Sequence, residues 1–227
     1  IDFDKERHLL DLIRAVHQIQ GIERIRLGSL EPGIITEEFA EAISKLPKMC
    51  PHFHLSLQSG CNATLKRMNR RYTSEEYAQR CGILRKYFEN PALTTDVIVG
   101  FPGETEEEFE ASRNFVDSID FYETHIFKYS RREGTKAAVM PDQVSEEKKS
   151  VRSAEMIEMG EQKRRAYEES FIGKEVEVLV EEEIKRDGEI FWTGHTKEYI
   201  KIALQSRENL RNCIVKVQIE DALQIIH

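Results

Sequence analysis

Asp96 sits inside an otherwise apolar run, "TTDVIVGFPGETEEEF", residues 94 to 109. A carboxylate there is costly to bury unless something satisfies it. A neighbouring strand's arginine, Arg26, would do so structurally, and a bound ligand would do so functionally. His52 and His54 alternate along "HFHLSLQSG", but no carboxylate or cysteine accompanies them in the sequence, so they read as core histidines. Cys50, Cys61, Cys81 and Cys213 form no CxxC pair and no zinc pattern, and read as buried free thiols of a reducing compartment. "GFPGE" alone is a Pro-Gly turn. "LKRMNRR" (65–71) and the pair Arg131–Arg132 alone are solvated faces.

Helical and strand patterns alternate around these residues. A 3.6-residue period over 4–20 places Leu9, Leu12, Ile13, Val16 and Ile19 on one helical face. A short strand over 23–32 ends at a Pro-Gly break. The helix at 35–46 takes Thr36 as its cap, and a second strand covers 52–60. A short helix follows at 62–69. The helix at 73–88 buries Tyr77, Cys81, Leu84 and Phe88. The run at 93–101 is a strand, and Thr105 with Glu108 forms a capping box for the next helix. A fourth strand covers 123–130. Apolar strands separated by helices predict a parallel sheet covered by helices, with ligands gathered at the carboxyl ends of its strands.

Residues 145–170 read as one long, polar, solvent-facing helix. From 171 onward the alternation, such as Val176, Val178 and Val180 against Glu175, Glu177 and Glu181, predicts five short antiparallel strands in a small closed or nearly closed barrel. The expected organisation is therefore 1–144 α/β, 145–170 connecting helix and 171–227 all-β. With 40% hydrophobic and 33% charged residues, the chain can bury a core. It has no apolar run long enough to span a membrane, and no signal peptide is legible at Ile1. The net charge of −8 leaves only local basic patches for a nucleic-acid partner.

In order, "RIRLGSLEP", "HFHLSLQSG", "LKRMNRRYTSEEY", "TTDVIVGFPGETEEEF" and "YSRREGT" resemble the radical S-adenosylmethionine methylthiotransferases over almost the whole chain. The tail from Gly173 is similar to their TRAM domain, and "LGSLEP" is most like the MtaB branch. The resemblance implies an incomplete parallel (βα) radical-SAM barrel with a TRAM-like β-barrel, in a cytoplasmic enzyme. It implies addition of a methylthio group to C2 of N6-threonylcarbamoyladenosine beside the tRNA anticodon. The implied cofactors are S-adenosylmethionine and two 4Fe-4S clusters.

By that resemblance Gln58 and Ser59 approach the ribose or sulfonium of the cofactor. Val99, Gly100 and Phe101 form a shelf for its adenine, where a Cβ at Gly100 would push the nucleoside away. Ser29 and Glu31 add polar contacts. Asp96 and Arg132 are aimed at the cofactor or the target base. The segment 171–227 is itself more acidic than basic, so an anticodon stem-loop is expected to bridge the small barrel and Lys66, Arg67, Arg70, Arg71, Arg131, Lys163, Arg164 and Arg165.

The family's CxxxCxxC loop and its second cysteine set are absent from these 227 residues. The expectation is a C-terminal piece of such an enzyme, inactive alone, binding no cluster, its sheet edge exposed or paired with a second copy. The competing expectations are a ribosomal-protein methylthiotransferase and a non-catalytic RNA-binding fragment.

Overall fold

The structure, a computed structural model, describes residues 8–186 and 188–226. Its first sheet holds four parallel strands in sequence order: β1 (Ser29–Leu30), β2 (His52–Leu55), β3 (Ala92–Val99) and β4 (Glu123–Lys128). Strand residues alternate between faces, and partners across a parallel ladder share one. Phe53, Leu55, Leu93, Thr95, Val97 and Val99 therefore form the covered face, all buried. Their cover comes from α1 (Leu9–His17), α2 (Glu37–Ser44), α4 (Ser74–Tyr87), α5 (Glu106–Ile119) and α6 (Glu146–Glu169). The short α3 (Asn62–Arg67) sits beyond the end of β2. Burying each large apolar side chain of this layer contributes about 1.5–3 kcal/mol.

Local signals fix several helix starts. Thr36 accepts from Phe39 N, and Thr73 with Glu76 and Thr105 with Glu108 close capping boxes. Tyr77, Cys81 and Leu84 are buried as expected. Two expectations need correction. On α1 the sheltered side runs through Leu9, Leu10 and Ile13, while Leu12 is 61% exposed and Ile19 51%. Periodicity identifies a helix, but the neighbours choose which part of a broad apolar stripe they cover. Residues 4–7 of that expected helix lie outside the described residues. The strand expected over 23–32 shrinks to Ser29–Leu30, preceded by a single bridge from Ile25 to Met49.

Helix α6 is not the solvent-facing rod its composition suggests. It buries Lys149, Arg152, Met156, Gly160 and Glu168, and packs across β3 and β4. Gly160 lets it approach β4, because a Cβ there would overlap Thr124 Oγ1. At its far end the Tyr167 hydroxyl donates to the Asn90 carbonyl at 2.7 Å.

The second sheet is antiparallel, in the order β7 (Lys201–Gln205), β6 (Glu189–His195), β5 (Glu175–Arg186) and β8 (Ile214–Gln218). The fifth strand expected at the C-terminus is a 3₁₀ turn, Ala222–Gln224, followed by one bridge from Ile225 to Ile202. Asp221 caps that turn through Leu223 N, which diverts the backbone from a ladder. Among the described residues four strands and one bridge make a half-barrel sheet, short of full closure. Its core reaches the parallel sheet through Ala92 and Tyr122, which pack with Phe171, Trp192 and Ile202. Both lie at the amino ends of β3 and β4, so the antiparallel sheet is attached at the edge opposite the strand carboxyl ends.

Candidate functional site

The second face of the parallel sheet carries most of its polar groups. Cross-strand register places Ser29, His54, Thr94 and Glu123 in one row, and Asp96 and His125 in the next. Asp96 is partly sheltered. Its partner is not Arg26, which lies 4.1 Å over the Tyr199 ring, but His54, with Nε2 3.4 Å from Asp96 Oδ2. His54 Nδ1 lies 2.9 Å from Thr94 Oγ1, and the His54 and His125 rings stack at 5.8 Å. His52, deeper on this face, is held down to about 4 by burial, then by the charges of Arg26 and His54. His54 thus does have a carboxylate, supplied from another strand. His125 carried no signal in the sequence beyond being polar within a strand.

The carboxyl edge is shaped by an interruption in β2. Its ladder stops at Leu55 and resumes at Gln58, which adopts a left-handed backbone with φ 71°. Gln58 N donates to the Asp96 carbonyl at 2.8 Å, and Ile98 N donates to the Gln58 carbonyl at 2.9 Å. Other groups hold the two skipped residues. Tyr72 Oη donates to the Ser56 and Leu57 carbonyls at 2.8 Å, and Leu57 N donates to Thr95 Oγ1 at 3.1 Å. Tyr77 Oη donates to the Leu55 carbonyl at 2.8 Å. Gln58 is thereby held opposite Val97, near the carboxyl end of β3.

Ser59 lies at the same edge, but its side chain is fully buried. Its hydroxyl bonds Ser112 Oγ at 3.4 Å and accepts from Cys61 N at 3.2 Å. Val99 is buried, and Ser29 and Glu31 are exposed, Glu31 lying 3.8 Å from Arg70. Gly100 has φ +72°, and a Cβ there would overlap the stem of Lys149 from α6. The glycine is therefore required first by helix packing, rather than by the approach of a nucleoside.

Gly100 N donates to Glu104 Oε2 at 2.7 Å, and Arg152 Nη1 donates to the same oxygen at 2.8 Å. Burial nevertheless pushes the Glu104 carboxyl up, outweighing both partners. Phe101 stacks edge-on against Tyr129 at 5.3 Å, and Tyr129 Oη is buried with no hydrogen-bond partner among the described residues. That orphaned hydroxyl beside an aromatic wall suits a polar ligand group at this edge.

Arg132 is exposed past the end of β4, its carbonyl accepting from Thr135, and it is not joined to Asp96. The basic residues fall into two kinds. Lys66, Arg71, Arg131 and Arg164 make no ion pair among the described residues. Arg67 is bound to Glu108, Lys163 to Asp117 and Asp120, and Arg165 lies 3.6 Å from Glu161. The cysteines stay apart. Cys50 and Cys81 are buried, with thiols pushed up by desolvation, Cys81 to about 12. Cys61 precedes α3 and Cys213 is exposed. No group of them fits an iron–sulfur cluster.

Residues 2–116 match the Radical SAM superfamily. The chain is 41% identical over 203 residues to "Threonylcarbamoyladenosine tRNA methylthiotransferase MtaB" of Bacillus subtilis (strain 168), covering 89% of this chain and 45% of that protein. It is 40% identical over 209 residues to "tRNA-2-methylthio-N(6)-dimethylallyladenosine synthase" of Alkaliphilus oremlandii (strain OhILAs), covering 92% and 44%. The chain thus spans under half the length of these curated relatives. In fold it resembles the Escherichia coli coproporphyrinogen III oxidase HemN, described as a radical SAM enzyme. The TM-score is 0.55 at 18% identity, over 68% of this chain and 36% of that one.

Proposed function

This chain belongs to the radical SAM superfamily, and from that premise we propose that it is part of a tRNA methylthiotransferase acting on C2 of N6-threonylcarbamoyladenosine. The observation that carries the reading is the 41% identity to the B. subtilis methylthiotransferase along 89% of the chain. S-adenosylmethionine would supply the radical and the methyl group, on clusters whose ligands these residues do not provide. The chain's own contribution is to bind and orient. Gln58, Gly100, Phe101 and Tyr129 would line the nucleoside-binding edge, the first three in the roles the resemblance implies, with Ser29, Glu31 and Val99 adjoining. Ser59 would contribute through its backbone alone. Asp96 and Arg132 would face the reacting end from separate positions. An anticodon stem-loop would first meet Lys66, Arg71, Arg131 and Arg164, which make no ion pair among the described residues. Arg67, Arg70, Lys163 and Arg165 would have to exchange their carboxylates for phosphates.

A second substrate reading has support in the A. oremlandii relative, whose name specifies dimethylallyladenosine. The test is to express the full-length protein containing this chain in a strain lacking its methylthiotransferases, then to analyse tRNA nucleosides by mass spectrometry. The expected product is 2-methylthio-N6-threonylcarbamoyladenosine. A 2-methylthio-dimethylallyl product would transfer the protein to the second substrate, and absence of both would overturn the tRNA reading.

A further inference from the structure

We infer that His54, Asp96 and His125 form a mononuclear site for a divalent transition-metal ion of the zinc class, on the second face of the parallel sheet. Among the described residues these three make the one group of histidine, cysteine and carboxylate side chains whose donor atoms converge, all within 4.8 Å of one another. Each comes from a different strand, and each strand is held by ladder bonds, so the donors are brought together by the sheet's register.

The His54–Asp96 spacing of 3.4 Å is one that two ligands of a shared cation also adopt. A charge-assisted N–H to carboxylate bond is about 2.7–2.9 Å, whereas this pair stands at 3.4 Å. Two donors bound tetrahedrally at roughly 2.0–2.1 Å from zinc are about 3.3–3.4 Å apart. His54 also has the outer partner such a ligand needs. Its Nδ1–H can donate to Thr94 Oγ1 at 2.9 Å, which leaves the Nε2 lone pair aimed toward Asp96. His125 is exposed on β4, and its donor nitrogen already lies within 4.8 Å of the other two donor atoms. Two imidazoles and a carboxylate suit Zn²⁺, Co²⁺ or Fe²⁺ rather than Mg²⁺ or Ca²⁺, and three protein ligands leave a fourth position for water or a ligand atom. The inference rests on this geometry; it shares Asp96 with the methylthiotransferase reading, and the metal titration tests it whichever substrate that reading assigns.

The untagged 227-residue chain, stripped with a chelator, would be titrated with Co²⁺ and followed by its visible d–d absorption. Zn²⁺ stoichiometry would be measured in parallel by equilibrium dialysis. The expected result is one Co²⁺ per chain with the strong absorption of a four- or five-coordinate ion, displaced by one Zn²⁺. His125→Ala, a change at an exposed position, should weaken binding at least about tenfold, and Thr94→Val about 10–100-fold by releasing the His54 ring. Circular dichroism on each variant separates loss of ligand from loss of fold. Binding well below one ion per chain would overturn the inference. So would a stoichiometric site that survives His125→Ala in a folded variant, or one abolished by Cys61→Ser.

Discussion

Glu104 is a carboxylate placed where water cannot reach it, and its two partners explain why it is tolerated. One is the Gly100 amide and the other is the guanidinium of Arg152, itself buried and also bonded to Glu106 at 3.0 Å. Glu104→Ala would leave Arg152 buried and short of a partner, so the expected loss is about 3–5 kcal/mol in urea unfolding. Glu104→Gln keeps an acceptor for Gly100 and should lose less. Equal losses would mean that the charge is irrelevant there. A second residue-scale expectation concerns acid. Glu75 is lowered to about 2, first by its bond from Asn62 at 3.0 Å, then by its own backbone amide at the start of α4. A carboxyl held down in the folded state stabilises it above its ordinary value near 4.5, and that contribution disappears as pH falls from 4.5 toward 2. Asn62→Ala should therefore show a shallower fall in urea midpoint across that interval than the parent, even though its stability at neutral pH is lower. An unchanged slope would remove Asn62 as the cause.

At the scale of elements, α6 and β3 are locked where Lys149 lies against Gly100. The Lys149 ammonium donates to the Tyr129 carbonyl at 3.0 Å and to Glu146 at 2.7 Å, which fixes the stem over the glycine. Gly100→Ala adds both a left-handed backbone cost of about 1–2 kcal/mol and an overlap with that stem. The double variant with Lys149→Ala should recover the overlap but not the backbone cost, so its stability should lie above that expected from adding the single changes. Strict additivity in thermal unfolding would show that the two do not meet. Element starts were legible because caps are local: Thr36, Thr73 and Thr105 act within one turn. The burial of α6 was not legible, because Lys149 and Arg152 are long polar side chains whose burial depends on partners far away in sequence. His54, Asp96 and His125 escaped for the same reason. Each was visible as a polar residue in a strand, but only the cross-strand register brings the three together.

At the scale of the molecule, the two sheets are joined by more than chain continuity. Arg24 donates to the His195 carbonyl at 2.7 Å and to the Glu177 carbonyl at 2.8 Å, and Arg26 lies over Tyr199. Bonds from a charged donor contribute roughly 1.5–3 kcal/mol each. The chain should therefore unfold in one calorimetric transition, and Arg24→Ala should lower its midpoint or divide it in two. A variant with an unchanged single transition would show that the shared apolar cluster alone joins the sheets. The parallel order of β1 to β4 followed from the alternation of apolar runs and helices. The open form of the second sheet did not, because alternation marks strands without saying whether the last one closes a ring.

The course of α6 has a geometric consequence. It starts beside Gly100 at the carboxyl edge of the sheet and ends beside Tyr122 and Asn90 at the opposite edge, where the second sheet begins. Its 24 residues form a rod of about 36 Å. Such a rod acts as a gauge and a screw thread at once. Each residue inserted or removed changes the separation of its ends by about 1.5 Å and turns one end against the other by about 100°. Length and phase are thus locked together: a whole turn restores the phase but shifts one end by about 5.4 Å, so no insertion or deletion keeps Lys149 on Gly100 and Tyr167 on Asn90 at once.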